Sequence, residues 1–343
     1  MKSGAAQLIT VARVLCAALL FVCVLILSSC EAENIFNEIL PRIAGTGAIG
    51  DPDENRAGAA AGAAGLQFTE KTPYDDDTCI VVNTTADVYK YADRTSARLT
   101  QILFDEPAQV LERTDLWIKL RVDERIEGWV RSRGLDGDWT CVDGRRYTER
   151  IVITDREKQI YSHPRNGIVI RDVGMGTELY VVSKSDNVYQ VALPGNLTGW
   201  ISENGVFQLN AGEEIKKTTA DIFAQSCAKF RGVSYLRGGL SFLGIDSAGM
   251  LYVAAKINGV RLPRDFEGQY ANGDQVPGAL GAAETGDVLF FSPNSQSSEI
   301  SDSGIYTGDG KFIHANQHTG KVQYEDISDP YFQQRILGVK RYF

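Results

Sequence analysis

Residues 244–252, GIDSAGMLY, decide how the C-terminal third of the chain is read. Asp246 and Ser247 precede an apolar run, GMLYVAAKING, with the periodicity of a helix. An aspartate just ahead of such a run is a natural helix cap, and Ser247 then stands at the helix start. Upstream, Thr218 begins a capping box, TTAD, with Asp221 three residues on, ahead of a second helical run, IFAQSCAKFRG. Downstream, GDVLFF (286–291), SGIYTGD (303–309) and KFIHAN (311–316) read as strands. Helices followed by an antiparallel sheet indicate an α+β domain, spanning 211–343.

Ahead of it a pattern occurs twice. Residues 86–135 and 158–206 each hold a Tyr-containing opening strand, a polar link, a hairpin with alternating apolar residues (AQVLERTDLWIKLRV, ELYVVSKSDNVYQVAL) and a closing GWV or GWI. Period-two patterning with polar turns implies two small all-β units, 78–145 and 146–210. At Gly128-Trp129 and Gly199-Trp200 the glycine permits close approach, and the indole is expected to plug a barrel too small for a larger core.

The chain has 343 residues, 43% of them apolar, enough for two or three modest cores. Lys2 and Arg13 precede VLCAALLFVCVLIL, an apolar run too short for a comfortable membrane span, so residues 1–29 read as a secretory leader. Residues 30–77, rich in Gly and Ala with hardly any aromatics, read as a flexible tether. The formal charge is −9, which disfavours nucleic acid, whose phosphates need clustered Lys and Arg. No CxxC, HExxH or Cys/His cluster occurs, so no metal or other cofactor is expected. Cys79 and Cys141 flank the first β unit, leaving a disulfide or two free thiols open; Cys227 reads as a small core residue.

The ordered motifs YLRGG (235–239), GIDSAGMLY, LPRD (262–265), GDVLFF and SGIYTGDGKFIHA (303–315) resemble the NlpC/p60-type cysteine peptidases, papain-like cell-wall endopeptidases. The two β units resemble bacterial Src-homology-3-like barrels. The LSSC segment resembles a lipobox, which implies lipidation of Cys30 and a chain anchored to a membrane of the cell envelope. The layout is similar to enzymes that cut peptidoglycan stem peptides between γ-D-glutamate and a diamino acid.

Carried over residue by residue, the family's catalytic Cys falls on Ser247, its His on Asp302, and its orienting His is retained as His314. A carboxylate is a poor acceptor for an alcohol proton, so the resemblance implies an inactive member. Ser247, Asp302 and His314 also have the composition of a serine triad, but His314 would have to reach past Asp302. Accessory positions differ too: Ala248, Phe266 and Ile126 replace polar or aromatic groups. Asp246 matches a residue that holds a ligand amine in the family, and reads equally as the helix cap. Glu106 is a second candidate for that amine, or a solvated turn. Arg237 replaces an aromatic and adds charge to the groove wall, and Arg264 is expected to pair with a local acid. His163 and His318 read as surface residues. The expected partners are peptidoglycan stem peptides or an envelope protein.

Overall fold

The computed structural model describes residues 77–343; the leader, Cys30 and the tether up to residue 76 lie outside the described residues. No described helix is long and apolar enough to cross a membrane.

The first β unit comprises β1 (Thr78–Val81), β2 (Thr85–Tyr89), β3 (Arg98–Leu103), β4 (Pro107–Arg113), β5 (Trp117–Arg121), β6 (Glu127–Arg131) and β7 (Leu135–Asp136). The second comprises β8 (Glu149–Ile153), β9 (Glu157–Tyr161), β10 (Val169–Gly174), β11 (Glu178–Ser185), β12 (Val188–Leu193), β13 (Leu197–Ser202) and β14 (Val206–Asn210). Their sheet orders are β3-β2-β6-β5-β4-β1-β7 and β10-β9-β13-β12-β11-β8-β14, the same order shifted by seven strands. Even the irregularities match: register breaks at Val110/Glu112 in β4 and at Val181/Ser183 in β11. Tyr89 pairs with Trp129 as Tyr161 pairs with Trp200.

The expectation that the indoles plug these units is overturned. Gly128 and Gly199 are buried, whereas Trp129 and Trp200 are half-buried on the opposite side of their strands. Strand alternation makes this a single choice: with Val130 and Ile201 inward, the glycine points inward and the tryptophan outward. A Cβ on Gly128 would lie 2.5 Å from Val88 Cγ1, and one on Gly199 2.3 Å from Ile160 Cγ2. The neighbouring side chains fill the space that the glycines leave.

Between the units, Cys141 and Val142 form a small core with Ile80 and Ala192. Cys79 and Cys141 are both free. The Cys79 thiol faces the Ala108 carbonyl at 3.8 Å, while that of Cys141 donates to Asp105 at 3.1 Å. Burial pushes the Cys79 pKa up to about 11 and raises that of Cys141 further, so neither thiol is reactive.

The C-terminal domain begins with α1 (Ala220–Ala228). Its cap is Thr219, which accepts from the Ile222 N–H at 3.4 Å, one residue later than the expected start; Thr218 Oγ1 instead bonds Asn258 at 2.6 Å. The short pair β15 (Leu240–Ser241) and β16 (Gly244–Ile245) leads into α2 (Ser247–Ile257), followed by α3 (Phe266–Asn272). A six-stranded antiparallel sheet follows, ordered β17-β22-β18-β19-β20-β21: β17 (Asp274–Gln275), β18 (Val288–Phe291), β19 (Asp302–Gly308), β20 (Lys311–Asn316), β21 (Lys321–Asp326) and β22 (Ile336–Arg341). Before β22 comes the single turn α4 (Pro330–Gln333).

One face of this sheet, with Val288, Phe290, Ile305 and Ile313, packs on Phe223 and Cys227 of α1 and on Met250 and Val253 of α2. The other carries Leu289, Phe291 and Phe312 against Phe332. Leu103 from the first β unit, and Val152 and Met175 from the second, enter the first of these cores. Fully burying such side chains stabilises by roughly 1.5–3 kcal/mol each relative to exposure, so the β units are bound into the domain through its own core.

Candidate functional site

Where the first β unit meets the C-terminal domain lies a groove of about 630 Å³, within the usual range of ligand sites. Ser247, Asp302 and His314 all line it, with Arg237 and Asp246. The first unit contributes Arg98, Leu99 and Ile126, and the second contributes nothing.

Asp246 caps α2 through Oδ1, which accepts from the Gly249 N–H at 2.7 Å, while Oδ2 accepts from Gly238 N–H at 2.7 Å. The same Oδ1 is 2.8 Å from the Arg264 guanidinium. Arg264 also donates to Thr100 Oγ1 in the first β unit at 3.1 Å and to the Gly239 carbonyl at 3.2 Å. With both partners buried, Asp246 is committed to helix, loop and ion pair, and Arg264 pairs with this acid.

Ser247 follows as the first residue of α2 and is 1% exposed. Its Oγ accepts from Ala315 N–H at 3.1 Å and reaches the Ala315 carbonyl at 3.5 Å. The hydroxyl thus ties α2 to β20, and among the described residues no side-chain base bonds to it.

His314 sits on β20 next to Asp302 on β19, with Nδ1 donating to Asp302 Oδ2 at 2.7 Å. Its Nε2 has no hydrogen-bond partner among the described residues and lies 3.9 Å from Glu325 Oε1 on β21. The ring is enclosed by Phe312 and Phe332. Burial alone would lower its pKa, but the Asp302 carboxylate beside it and then Glu325 raise it to about 9. The His314 imidazolium, with Gln323 and Asn316 donating to the same carboxylate, holds Glu325 down at about 2. At neutral pH the site therefore carries a buried imidazolium between two carboxylates. Such a ring already holds its proton and cannot accept one from an alcohol.

The structure brings Ser247, Asp302, His314, Asp246 and Arg237 into one groove but leaves Glu106 out. Glu106 Oε1 lies 3.3 Å from Lys256 Nζ, and its other oxygen accepts from Leu103 N–H at 3.1 Å, in a separate cavity of about 190 Å³ that Glu178 also lines. Lys256 is 150 residues from Glu106, so the sequence around Glu106 carries no sign of this partner. His318, read as plain surface, stands on the groove rim and bonds Tyr331 Oη through Nε2 at 3.3 Å. Its position follows from the turn after β20, for which there was no motif signal.

Residues 232–341 match the NlpC/P60 family model. The gamma-D-glutamyl-L-lysine dipeptidyl-peptidase of Bacillus cereus (strain ATCC 10987 / NRS 248) is 24% identical over 251 residues, covering 71% of this chain and 74% of that protein. The enzyme of the same name from Bacillus subtilis (strain 168) is 26% identical over 253 residues, 71% of this chain and 81% of that protein. The crystal structure of an NlpC/P60 family protein from Bacillus cereus ATCC 10987 superposes with a TM-score of 0.70 at 20% identity, over 77% of this chain and 99% of that one. That likeness extends through the β-rich N-terminal region as well as the C-terminal domain. Residues 232–341 thus resemble the NlpC/P60 family in sequence, and the chain shares its fold with the Bacillus cereus protein.

Proposed function

We propose that the chain is a lipid-anchored protein of the cell envelope that holds peptidoglycan stem peptides, or an envelope protein, in the Ser247 groove without cutting them. In this reading Cys30 carries the anchor, residues 30–77 are a tether, and residues 78–145 and 146–210 are Src-homology-3-like barrels. The names of the two Bacillus relatives support a γ-D-glutamyl peptide as the ligand class. The observation that carries the reading is the geometry at His314: its Nδ1 is bonded to Asp302, and among the described residues the Ser247 hydroxyl is bonded to the Ala315 backbone and to no imidazole. The nucleophile position has no base, while a groove large enough for a peptide remains.

A second reading, hydrolysis by Ser247 with His314 and Asp302, has one observation in its favour. Asp302 holds Nδ1 and leaves Nε2 without a hydrogen-bond partner, the tautomer pattern of a serine triad. Against it, Nε2 lies beside Glu325. Incubating the full chain with stem peptides and isolated cell wall separates the two. No new amine and no mass change is expected; sustained turnover that Ser247→Ala abolishes would overturn the binding reading.

A further inference from the structure

We infer that Arg237 makes the groove selective for a ligand bearing a free carboxylate. This rests on the reading of the groove as a peptide-binding site and names what the site recognises.

The charges around the groove are satisfied unequally. Three guanidiniums line it: Arg98, Arg237 and Arg264. Arg98 is paired with Asp87 at 2.8 Å, and Arg264 with Asp246 at 2.8 Å. The acids are equally committed: Asp246 to Arg264, Asp302 to His314, and Asp265 to Arg125 at 2.7 Å. Glu267 on the rim lies in the field of that same Arg125. Among the described residues, the Arg237 guanidinium has no ion pair or hydrogen bond of its own, and the residue is exposed.

Its backbone is in the opposite condition. The Arg237 carbonyl accepts from Arg98 at 3.3 Å, and the next N–H, of Gly238, donates to Asp246. Two residues further on, Leu240 N–H donates to Gln101 of the first β unit at 3.0 Å. Gly238 holds a φ of +78°, which places the loop in a conformation that larger residues rarely adopt. Arg237 is thus rooted on both sides and free at its head. The backbone that carries the planar fork is held in place, and the fork can engage a carboxylate through two parallel N–H···O bonds. A chain of net charge −9 that leaves one groove cation uncompensated favours an anionic group at that point.

The test is calorimetric titration of the full chain with the tripeptide L-Ala-γ-D-Glu-diaminopimelate, and with forms in which one carboxylate at a time is converted to the carboxamide. At least one carboxamide is expected to bind about tenfold more weakly than the acid, as fits a charge-assisted bidentate contact. In Arg237→Gln the acid and that carboxamide should bind within about twofold of each other, whereas Arg237→Lys, which keeps the charge but not the fork, should retain part of the difference. The difference should also shrink as salt is raised. Equal binding of every carboxamide and the acid, or an unchanged preference in Arg237→Gln, overturns the inference and leaves the peptide-binding reading standing. No binding of any form at millimolar peptide overturns both.

Discussion

The two β units share strand order, bulge positions and the tyrosine–tryptophan pair, yet they do different work. The first faces the groove, supplying Arg98, Leu99 and Ile126 to its wall and reaching the C-terminal domain through Thr100–Arg264 and Arg125–Asp265. The second lies away from the groove, against α2, through Met175 and the Glu178–Lys256 pair at 3.5 Å. The same sheet thus serves as a binding wall in one place and as a buttress in another. What differs is the side chains on the contact surface, not the topology.

The sharpest difference lies in the turn that follows the third strand of each unit. Asp105 N–H donates to the Val81 carbonyl at 2.9 Å, as Gly176 N–H does to Ile153, and both residues have positive φ, +62° and +86°. The first unit places an aspartate where the second has the residue suited to that backbone. Burial pushes the Asp105 pKa up to about 7, with the Cys141 thiol donating to it the smaller, opposing influence.

The largest expected effect comes from cutting the first unit's buried link. Arg264→Ala leaves Asp246 as an unpaired buried carboxylate and should cost about 3–5 kcal/mol in urea unfolding, with groove binding lost in the fraction that stays folded. Next is a pH effect that belongs to neither β unit. Because the folded-state pKa of His314 lies above its ordinary 6.5, its stabilisation is complete below about pH 6.5 and is lost as pH rises through about 9. The loss should approach about 3 kcal/mol, and His314→Gln should flatten the slope in that window. Gly128→Ala and Gly199→Ala test the equivalence of the units directly. Each forces a Cβ into occupied space and should destabilise by about 1–3 kcal/mol, but only Gly128→Ala should also weaken peptide binding. The smallest change is a gain read at pH 4, where Asp105→Gly should stabilise by about 1 kcal/mol by relieving the left-handed aspartate. The gain should be larger at pH 7, since a raised carboxyl pKa costs stability as pH climbs from its ordinary value near 4 to about 7.

Local patterning made the elements legible. Alternation marked the hairpins at 107–121 and 178–193, and Asp246 announced the start of α2. The inward glycines were misread because period-two alternation tells which residues share a face but not which face is inside. In the site, Ser247, Asp302 and His314 were recognisable from motif order, and their meeting is a matter of adjacent strands. Glu106 was misplaced because its partner, Lys256, is distant in sequence, and the Ser247–Ala315 tie was invisible because it runs to backbone. The identity of a buried charge's partner is a long-range property that no local window carries.

The small core of Cys141 and Val142, set between Ile80 and Ala192, has a consequence for how this chain can be altered. A joint packed with side chains behaves as a wedge: lengthening it would open a void and tilt one unit against its twin. Inserted tags or reporters are better accepted at exposed hairpin tips such as 195–196, where a Cβ on Gly195 would meet nothing within 4 Å.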